Sequence, residues 1–156
     1  MSFQLDQSVE IGVRPEVVWN VITDLACYPD WNPFVVACES TLGVGEPIAM
    51  RVRVIPFFAQ SQTETVFEHE PGHRLSYGLR EVPLGALRSL RSHLVVPAGT
   101  DGARYESHFE LSGWLAPLVR VLVGAQLERG FKAMTEAIAT RAEELGRRMQ
   151  GDQTNA

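Results

Sequence analysis

Five polar side chains stand among apolar residues on three predicted strands, and their types are suited to binding or activating a small molecule. Histidine is the only side chain that titrates near neutrality without perturbation, so His93 is a candidate general acid or base. Arg91 would stay charged when buried and could orient a carboxylate, a phenolate or an enolate. The hydroxyl groups of Tyr77, Tyr105 and Ser107 could donate hydrogen bonds to a carbonyl oxygen. The candidate catalytic residues are His93, Arg91 and Tyr77.

These side chains leave three interpretations open. They satisfy one another or water inside a structural core, as most buried polar groups do. They orient a bound ligand, or they catalyse a reaction on it. The acidic residues give no competing site, because most lie on predicted outer faces or on the last helix and no pair converges inside. His69 and His73 lie on either side of a Pro71-Gly72 turn and are expected at the surface, so no metal site and no cofactor are predicted.

The first third of the chain predicts one strand followed by helices. Apolar residues alternate with polar ones from Phe3 to Ile11, which is typical of a strand. Pro15 and Glu16 are suited to a helix start, and apolar residues at helical spacing continue to about Leu25. The segment Tyr28-Pro-Asp-Trp-Asn-Pro-Phe34 has two prolines and therefore favours a tight turn or one short helical turn.

From Val35 to Leu111 the apolar pattern changes to a period of two, which predicts six further strands. A Pro-Gly turn at residues 70–73 and a loop at residues 97–102 join neighbouring strands, so an antiparallel meander is the economical topology. The alternation predicts that Tyr105, Ser107 and Phe109 face inward while Arg104, Glu106 and His108 face solvent. On the strand from Ser89 to Val96, Arg91 and His93 are assigned inward, although Leu94 and Val96 compete for that face.

A last helix is predicted from Pro117 to about Arg148. Its apolar stripe includes Leu127, Phe131, Met134, Ile138, Ala142 and Leu145. The half from Leu118 to Ala125 is apolar nearly all round, which predicts burial on more than one side. We expect one domain over residues 1–150 and a flexible polar tail over residues 151–156.

Composition excludes several classes of protein. The chain has 156 residues, 45% of them apolar, and can bury a core without a metal or disulfide. Its net charge of −5, with arginines spread along the sequence, argues against a nucleic-acid partner. No signal peptide and no transmembrane segment is apparent, so a cytoplasmic protein with reduced cysteines is expected, either a monomer or a homodimer.

The order of elements and four short segments resemble the START/Bet v 1-like (SRPBCC) superfamily, in particular its polyketide cyclase/dehydrase and lipid-transport branch. The segments are Arg14-Pro-Glu-Val-Val-Trp19, Tyr28-Pro-Asp-Trp-Asn-Pro-Phe34, Glu70-Pro-Gly-His-Arg-Leu75 and Gly130-Phe-Lys-Ala-Met134. The resemblance implies an α+β helix-grip fold, in which a curved seven-stranded antiparallel sheet wraps around a long C-terminal helix. It implies carriers, cyclases or regulators alike, because the fold alone does not define the chemistry.

A curved sheet that grips one helix has a concave face where a ligand cavity can form. We therefore predict binding of a small hydrophobic ligand (aromatic, polyketide-like or lipid-like) by a carrier or sequestering protein. An aromatase/cyclase-type enzyme acting on a polyketide-like substrate is the alternative. A membrane-associated lipid or quinone chaperone is a third possibility, favoured if Leu118, Leu122 and Val123 are exposed. The predicted ligand-binding residues are Trp31, Phe34, Met50, Val52, Tyr77, Arg91, His93, Tyr105, Ser107, Phe109, Leu118 and Leu122.

Overall fold

An antiparallel sheet of seven strands forms the body of the molecule in a computed structural model, which describes residues 2–155. The strands are β1 (Ser2–Ile11), β2 (Val35–Glu39), β3 (Pro47–Ile55), β4 (Phe58–Glu70), β5 (Arg74–Gly78), β6 (Arg88–Ala98) and β7 (Gly102–Ser112). Their spatial order is β1-β7-β6-β5-β4-β3-β2. Strands β2 to β7 therefore form the predicted meander, and β1 pairs with β7 at the other edge.

Two short helices separate β1 from β2. Helix α1 (Pro15–Thr23) starts at the predicted proline, with Glu16 in its first turn, and buries its valines and Trp19. It ends two residues earlier than the apolar spacing predicts, because Asp24 leaves the helical region of φ/ψ space and a 3-10 turn over Leu25–Cys27 follows. Helix α2 (Tyr28–Trp31) contains Pro29 and ends before Pro33, and of the two predicted alternatives it is the short helical turn.

Helix α3 (Ala116–Thr154) crosses the concave face of the sheet. The predicted stripe is inward: Phe131, Met134, Ile138 and Ala142 are buried, and Leu127 and Leu145 are half-buried. The helix continues past the predicted end at Arg148 as far as Thr154, with residues 151–154 exposed. The flexibility of this terminal segment stays a prediction.

The two faces of the sheet follow the predicted alternation. Tyr105, Ser107 and Phe109 are buried on β7. On the outer face of this strand Arg104 is exposed, and Glu106 and His108 are half-buried. On β6 the ambiguous phase is resolved, because Arg91 and His93 are both inside with Val95. Leu94 and Val96 lie half-buried on the outer face.

The arrangement is the helix-grip fold that the order of the predicted elements implies. Within residues 2–155, no helix is both long enough and apolar enough to cross a membrane. The core lies between the concave face of the sheet, α1 and the middle of α3.

The packing of α3 on the sheet gives the first testable prediction. Ile138 on this helix is fully buried, so Ile138→Ala should lower the free energy of unfolding by about 2–5 kcal/mol, since it leaves a cavity. Val121→Ala, on an exposed part of the same helix, should change it by less than about 0.5 kcal/mol. Denaturant unfolding of both variants measures the difference. Equal effects at the two positions would contradict the packing described for α3.

Candidate ligand-binding cavity

A cavity of about 220 Å³ lies between the concave face of the sheet and the first half of α3. Most of its wall is apolar, and six polar side chains from β4, β5 and β6 contribute the rest. The polar residues are Gln60, Gln62, Glu64, Tyr77, Ser89 and Arg91. The apolar residues are Phe34, Val35, Met50, Val52, Val54, Leu79, Leu87, Phe109, Leu111, Val119, Val123, Leu127 and Phe131. The cavity therefore has the mixture of apolar wall and few polar groups that is typical of small-molecule sites.

Arg91 carries a permanent positive charge in the cavity wall, and it is 3% exposed. Its guanidinium donates to the hydroxyl of Ser107 and, at 3.4 Å, to that of Tyr105. It also lies over the Phe131 ring, 4.5 Å from the ring centroid. Among residues 2–155 no carboxylate forms an ion pair with it. A buried cation held in this way is available to an acceptor or anionic group of a ligand.

His93 belongs to a buried chain of hydrogen bonds behind the cavity wall. Its Nδ1 atom lies 2.7 Å from the Tyr105 hydroxyl, and its Nε2 atom lies 3.1 Å from the Tyr77 hydroxyl. Burial, aided by the nearby charge of Arg91, holds the pKa of His93 well below its usual range, so the ring is neutral at physiological pH. In the tautomer that carries the proton on Nε2, His93 donates to Tyr77 and leaves the Tyr77 hydroxyl hydrogen free to donate to a ligand.

Glu64 places a carboxyl group in the same wall. It is 8% exposed, and the Gln62 side chain donates a hydrogen bond of 3.0 Å to its Oε1 atom. Burial raises the pKa of Glu64 to about 7, and the positive charge of Arg91 opposes that rise. Because this pKa is close to neutrality, Glu64 can either accept or donate a proton within the cavity.

Local sequence explains how Phe34 reaches the cavity. The side-chain oxygen of Asn32 accepts hydrogen bonds from the backbone N–H groups of Phe34 and Val35, at 3.0 and 2.9 Å, and so fixes the turn between α2 and β2. The Phe34 ring then packs edge-on against Phe131. A Cβ atom at Gly130 would lie 2.3 Å from the Phe34 ring, so only glycine allows this approach between ring and helix.

Six of the twelve predicted ligand-binding residues line the cavity. They are Phe34, Met50, Val52, Tyr77, Arg91 and Phe109. His93, Tyr105 and Ser107 are buried as predicted, but they lie behind the wall and contact it through Tyr77 and Arg91. Trp31 is half-buried and packs edge-on against Tyr28, with ring centroids 5.1 Å apart, so it does not reach the cavity.

Leu118 and Leu122, which were predicted to bind the ligand, do not line the cavity. Both are exposed, by 53% and 63%, and the face of α3 turned towards the sheet carries Val119, Val123 and Leu127 instead. The expectation that this half of α3 is buried on more than one side is wrong for the same reason. All its faces are apolar, so the sequence pattern does not identify the one that faces the core.

Glu64 is the important residue that the sequence analysis missed. The signal was the alternation on β4, where Gln60, Gln62 and Glu64 share a face with the fully buried Val66. A register shift next to Val66, where β4 pairs with β5, makes the alternation hard to follow past that point.

Two other features do not compete with this site. Within the part of the chain that the structure describes, no three His, Cys, Asp or Glu side chains come together in a way that could hold a metal ion. A larger depression, of about 490 Å³, lies on the outer face of the sheet and is bordered by surface polar groups such as Glu68, Arg74 and His108. It lies on the side of the sheet away from α3 and has a largely polar border, so the internal cavity is the candidate ligand site.

The seven-stranded sheet, the long last helix and the cavity between them are those of the helix-grip class. Residues 2–143 match the model of the polyketide cyclase/dehydrase and lipid transport family, and the chain belongs to that family. No curated protein sequence matches the chain closely enough to count as a relative.

Solved structures with the same fold include proteins with different activities. The Zhui aromatase/cyclase from Streptomyces sp. R1128 aligns with a TM-score of 0.76 and 16% identity, over 92% of this chain and 94% of its own. Norcoclaurine synthase from Thalictrum flavum, in complex with dopamine and hydroxybenzaldehyde, aligns with a TM-score of 0.68 and 19% identity, over 92% and 88%. A START superfamily protein from Mycobacterium smegmatis aligns with a TM-score of 0.68 and 19% identity, over 91% and 98%. At these identities the likeness concerns the fold.

The raised pKa of Glu64 predicts a pH dependence of stability. Between pH 4.5, the usual pKa of a glutamate, and about pH 7, the folded protein keeps a proton that the unfolded chain has lost, so stability falls as pH rises. Glu64→Gln has no carboxyl group to titrate, so its stability does not fall in this way. Its free energy of unfolding should therefore rise relative to wild type across that window, by roughly 3 kcal/mol.

Denaturant unfolding between pH 4.5 and 8 measures this difference. The depressed pKa of His93 acts in the opposite sense below its usual value, but it is common to both proteins and cancels. Glu70→Gln, on an exposed residue of the same strand, should follow wild type at every pH. A flat difference for Glu64→Gln would mean that this carboxyl group titrates normally.

Proposed function

We propose that this protein binds a small aromatic molecule that carries a hydroxyl or carbonyl group, and that it acts as a carrier or sequestering protein in the cytoplasm. The observation that supports this most is the position of Arg91 and Glu64 in the wall of an otherwise apolar cavity. The family, whose description includes both cyclases and lipid transport, is consistent with such a role.

The volume of the cavity limits the ligand. An apolar cavity of about 150 Å³ holds one benzene ring, so 220 Å³ is suited to one ring or two fused rings. A longer molecule would have to extend past Val54 and Val119 towards the open end. The apolar wall favours the rings, since each buried Å² of apolar surface contributes about 25 cal/mol.

The polar groups favour a hydroxyl or carbonyl on that ring system. Arg91 and the Tyr77 hydroxyl donate, while Glu64 accepts a hydrogen bond when ionised and donates one when protonated. A hydroxyl group can use both kinds of partner at once. A ligand without polar atoms would leave Arg91 desolvated and without a new partner, which costs binding energy.

Binding of 2-naphthol and of naphthalene tests this proposal. Wild type should bind 2-naphthol on the order of tenfold more tightly than naphthalene, because only the former has a hydroxyl for Glu64 and Arg91. Val123→Trp, which fills the cavity, should weaken binding of both by at least about tenfold. Val121→Trp, two residues earlier at an 82% exposed position, should bind as wild type does.

Isothermal titration calorimetry measures these affinities, with unfolding curves to show that each variant is folded. Equal effects of the two tryptophan variants would reject the internal cavity as the site. Equal affinity of wild type for the two probes would reject the role of the polar groups.

A second candidate function is that of an aromatase/cyclase-type enzyme, and Glu64 is the observation that favours it. A carboxyl group with a pKa of about 7 inside an apolar cavity is suited to general acid–base catalysis. Arg91 could stabilise a developing enolate beside it. His93 would act only through Tyr77, because the Tyr77 hydroxyl stands between its ring and the cavity.

The enzymatic candidate is tested with a poly-β-ketone thioester mimic and detection of aromatic products. If it is right, Glu64→Gln should reduce turnover by roughly 10²-fold or more while affinity for the mimic stays within a few-fold. Glu70→Gln, outside the cavity on the same strand, should have wild-type turnover. Absence of product with wild type would leave the carrier role alone, and unchanged turnover in Glu64→Gln would reject Glu64 as the acid–base group.

A further inference from the structure

Three segments surround the open end of the cavity, and we call them together the rim. They are residues 53–58 at the β3–β4 hairpin, residues 79–88 at the β5–β6 connection and residues 114–123 at the start of α3. Each contributes at least one residue to the cavity wall: Val54 from the first segment, Leu79 and Leu87 from the second, and Val119 and Val123 from the third. The rim is therefore the surface through which a ligand would enter or leave.

Exposed apolar side chains are concentrated on the rim. Among the described residues eleven large apolar side chains are exposed, and nine of them belong to it: Ile55, Phe57, Phe58, Val82, Leu84, Trp114, Leu118, Val121 and Leu122. The other two, Val44 and Met149, lie outside these segments. Scattered exposed apolar residues need no explanation, but a cluster around a cavity mouth is typical of an interaction surface.

The backbone holds two of these side chains outward at a cost. Phe57 and Leu84 have φ values of 67° and 66°, in the left-handed region that bulky residues avoid. Both are almost completely exposed, at 104% and 93% of their reference surface. No intramolecular packing of these side chains repays the strain, which is typical of positions kept for a function outside the fold.

Two of the three segments form one connected surface. The indole N–H of Trp114 donates to the backbone oxygen of Leu84 at 3.2 Å, and the backbone N–H of Leu115 donates to that of Ala86 at 3.0 Å. The β5–β6 connection is thereby fixed to the start of α3. The β3–β4 hairpin lines the same cavity through Val54, as the start of α3 does through Val119.

The charge of the rim is opposite to that of the molecule. Its segments contain four arginines (Arg53, Arg80, Arg88 and Arg120) and one acid, Glu81, a net charge of +3. The whole chain carries −5, so the remaining residues carry −8. A surface that is apolar at its centre and cationic around it complements an anionic lipid bilayer, while the acidic remainder is repelled from it.

We propose that the rim docks on the surface of an anionic lipid bilayer, with the cavity mouth turned towards the lipid. Phe57, Phe58 and Leu84 insert among the lipid chains and headgroups, and the arginines contact the lipid phosphates. A hydrophobic ligand can then pass between bilayer and cavity without crossing water. A second copy of the chain fits this surface less well, because a two-fold interface would bring one cationic rim against another.

Flotation with vesicles tests docking directly and needs no ligand, so its result is independent of the proposed binding function. Wild type should float with vesicles of mixed phosphatidylcholine and phosphatidylglycerol, and much less with phosphatidylcholine alone. Raised salt should weaken the binding. The change Arg80→Glu with Arg88→Glu should reduce the partition coefficient by at least about tenfold. Arg147→Glu with Arg148→Glu, the same charge change at the far end of α3, should have a much smaller effect.

A second pair of double variants tests the contribution of the apolar side chains to membrane docking. Phe57→Ser with Leu84→Ser should reduce partitioning by at least about tenfold, since two exposed apolar side chains lose their place in the lipid. Val44→Ser with Met149→Ser removes the two exposed apolar side chains outside the rim. This control should leave the partitioning onto vesicles unchanged. Because all four positions are exposed, none of these changes should unfold the protein.

Trp114 provides a spectroscopic readout, since it is 65% exposed on the rim. Its emission should shift to the blue on addition of anionic vesicles, and Trp114→Phe should abolish most of the shift. The proposal is overturned if wild type does not float, if it floats equally with both kinds of vesicle, or if the control variants lose as much binding as the rim variants. It is also overturned if sedimentation velocity shows a dimer that Phe57→Ser with Leu84→Ser dissociates.

Discussion

The contact between Phe131 and the concave face of the sheet holds the cavity and the fold together. Its ring meets Phe34 from the first turn after α2, Phe109 from β7 and the guanidinium of Arg91 from β6, all within 5 Å of its centroid. The aromatic contacts anchor α3 at its middle. The same ring shields a buried cation that would otherwise be costly, so helix packing and the charge at the inner end of the cavity depend on one side chain.

The polar groups in and behind the cavity wall differ in their burial and in the hydrogen-bond partners they have. Behind the wall, His93 and Tyr105 are satisfied by each other and by their neighbours, which accounts for their complete burial. In the wall, Arg91 and Tyr77 each form a hydrogen bond to a group behind the wall and also border the cavity. Glu64 is the least satisfied of them, with Gln62 as its side-chain donor, and it is the group whose protonation a ligand can change most readily.

The sequence predicted the fold well and the site in part, for physical reasons that differ between elements. Alternation on β7 identified its inward face, because that face carries Tyr105 and Phe109, whereas on β6 the apolar residues Leu94 and Val96 left the phase open. Alternation could not say which inward residues border a void and which, like Ser107, are covered by a neighbour. The predicted burial of the start of α3 was wrong because nearly every face of that segment is apolar, and the exposed face belongs to the rim.

Strand β1 pairs with β7 along its whole length, so that Ser2 lies opposite Ser112. Of the seven strands, β1 is synthesised before the others but gains its partner only when β7 has been made, and α3 follows β7. Such pairing gives the chain a high contact order and slow folding, because a long loop must close before its contacts form. Until β7 is synthesised, β1 has no partner strand and its backbone N–H and C=O groups stay unpaired.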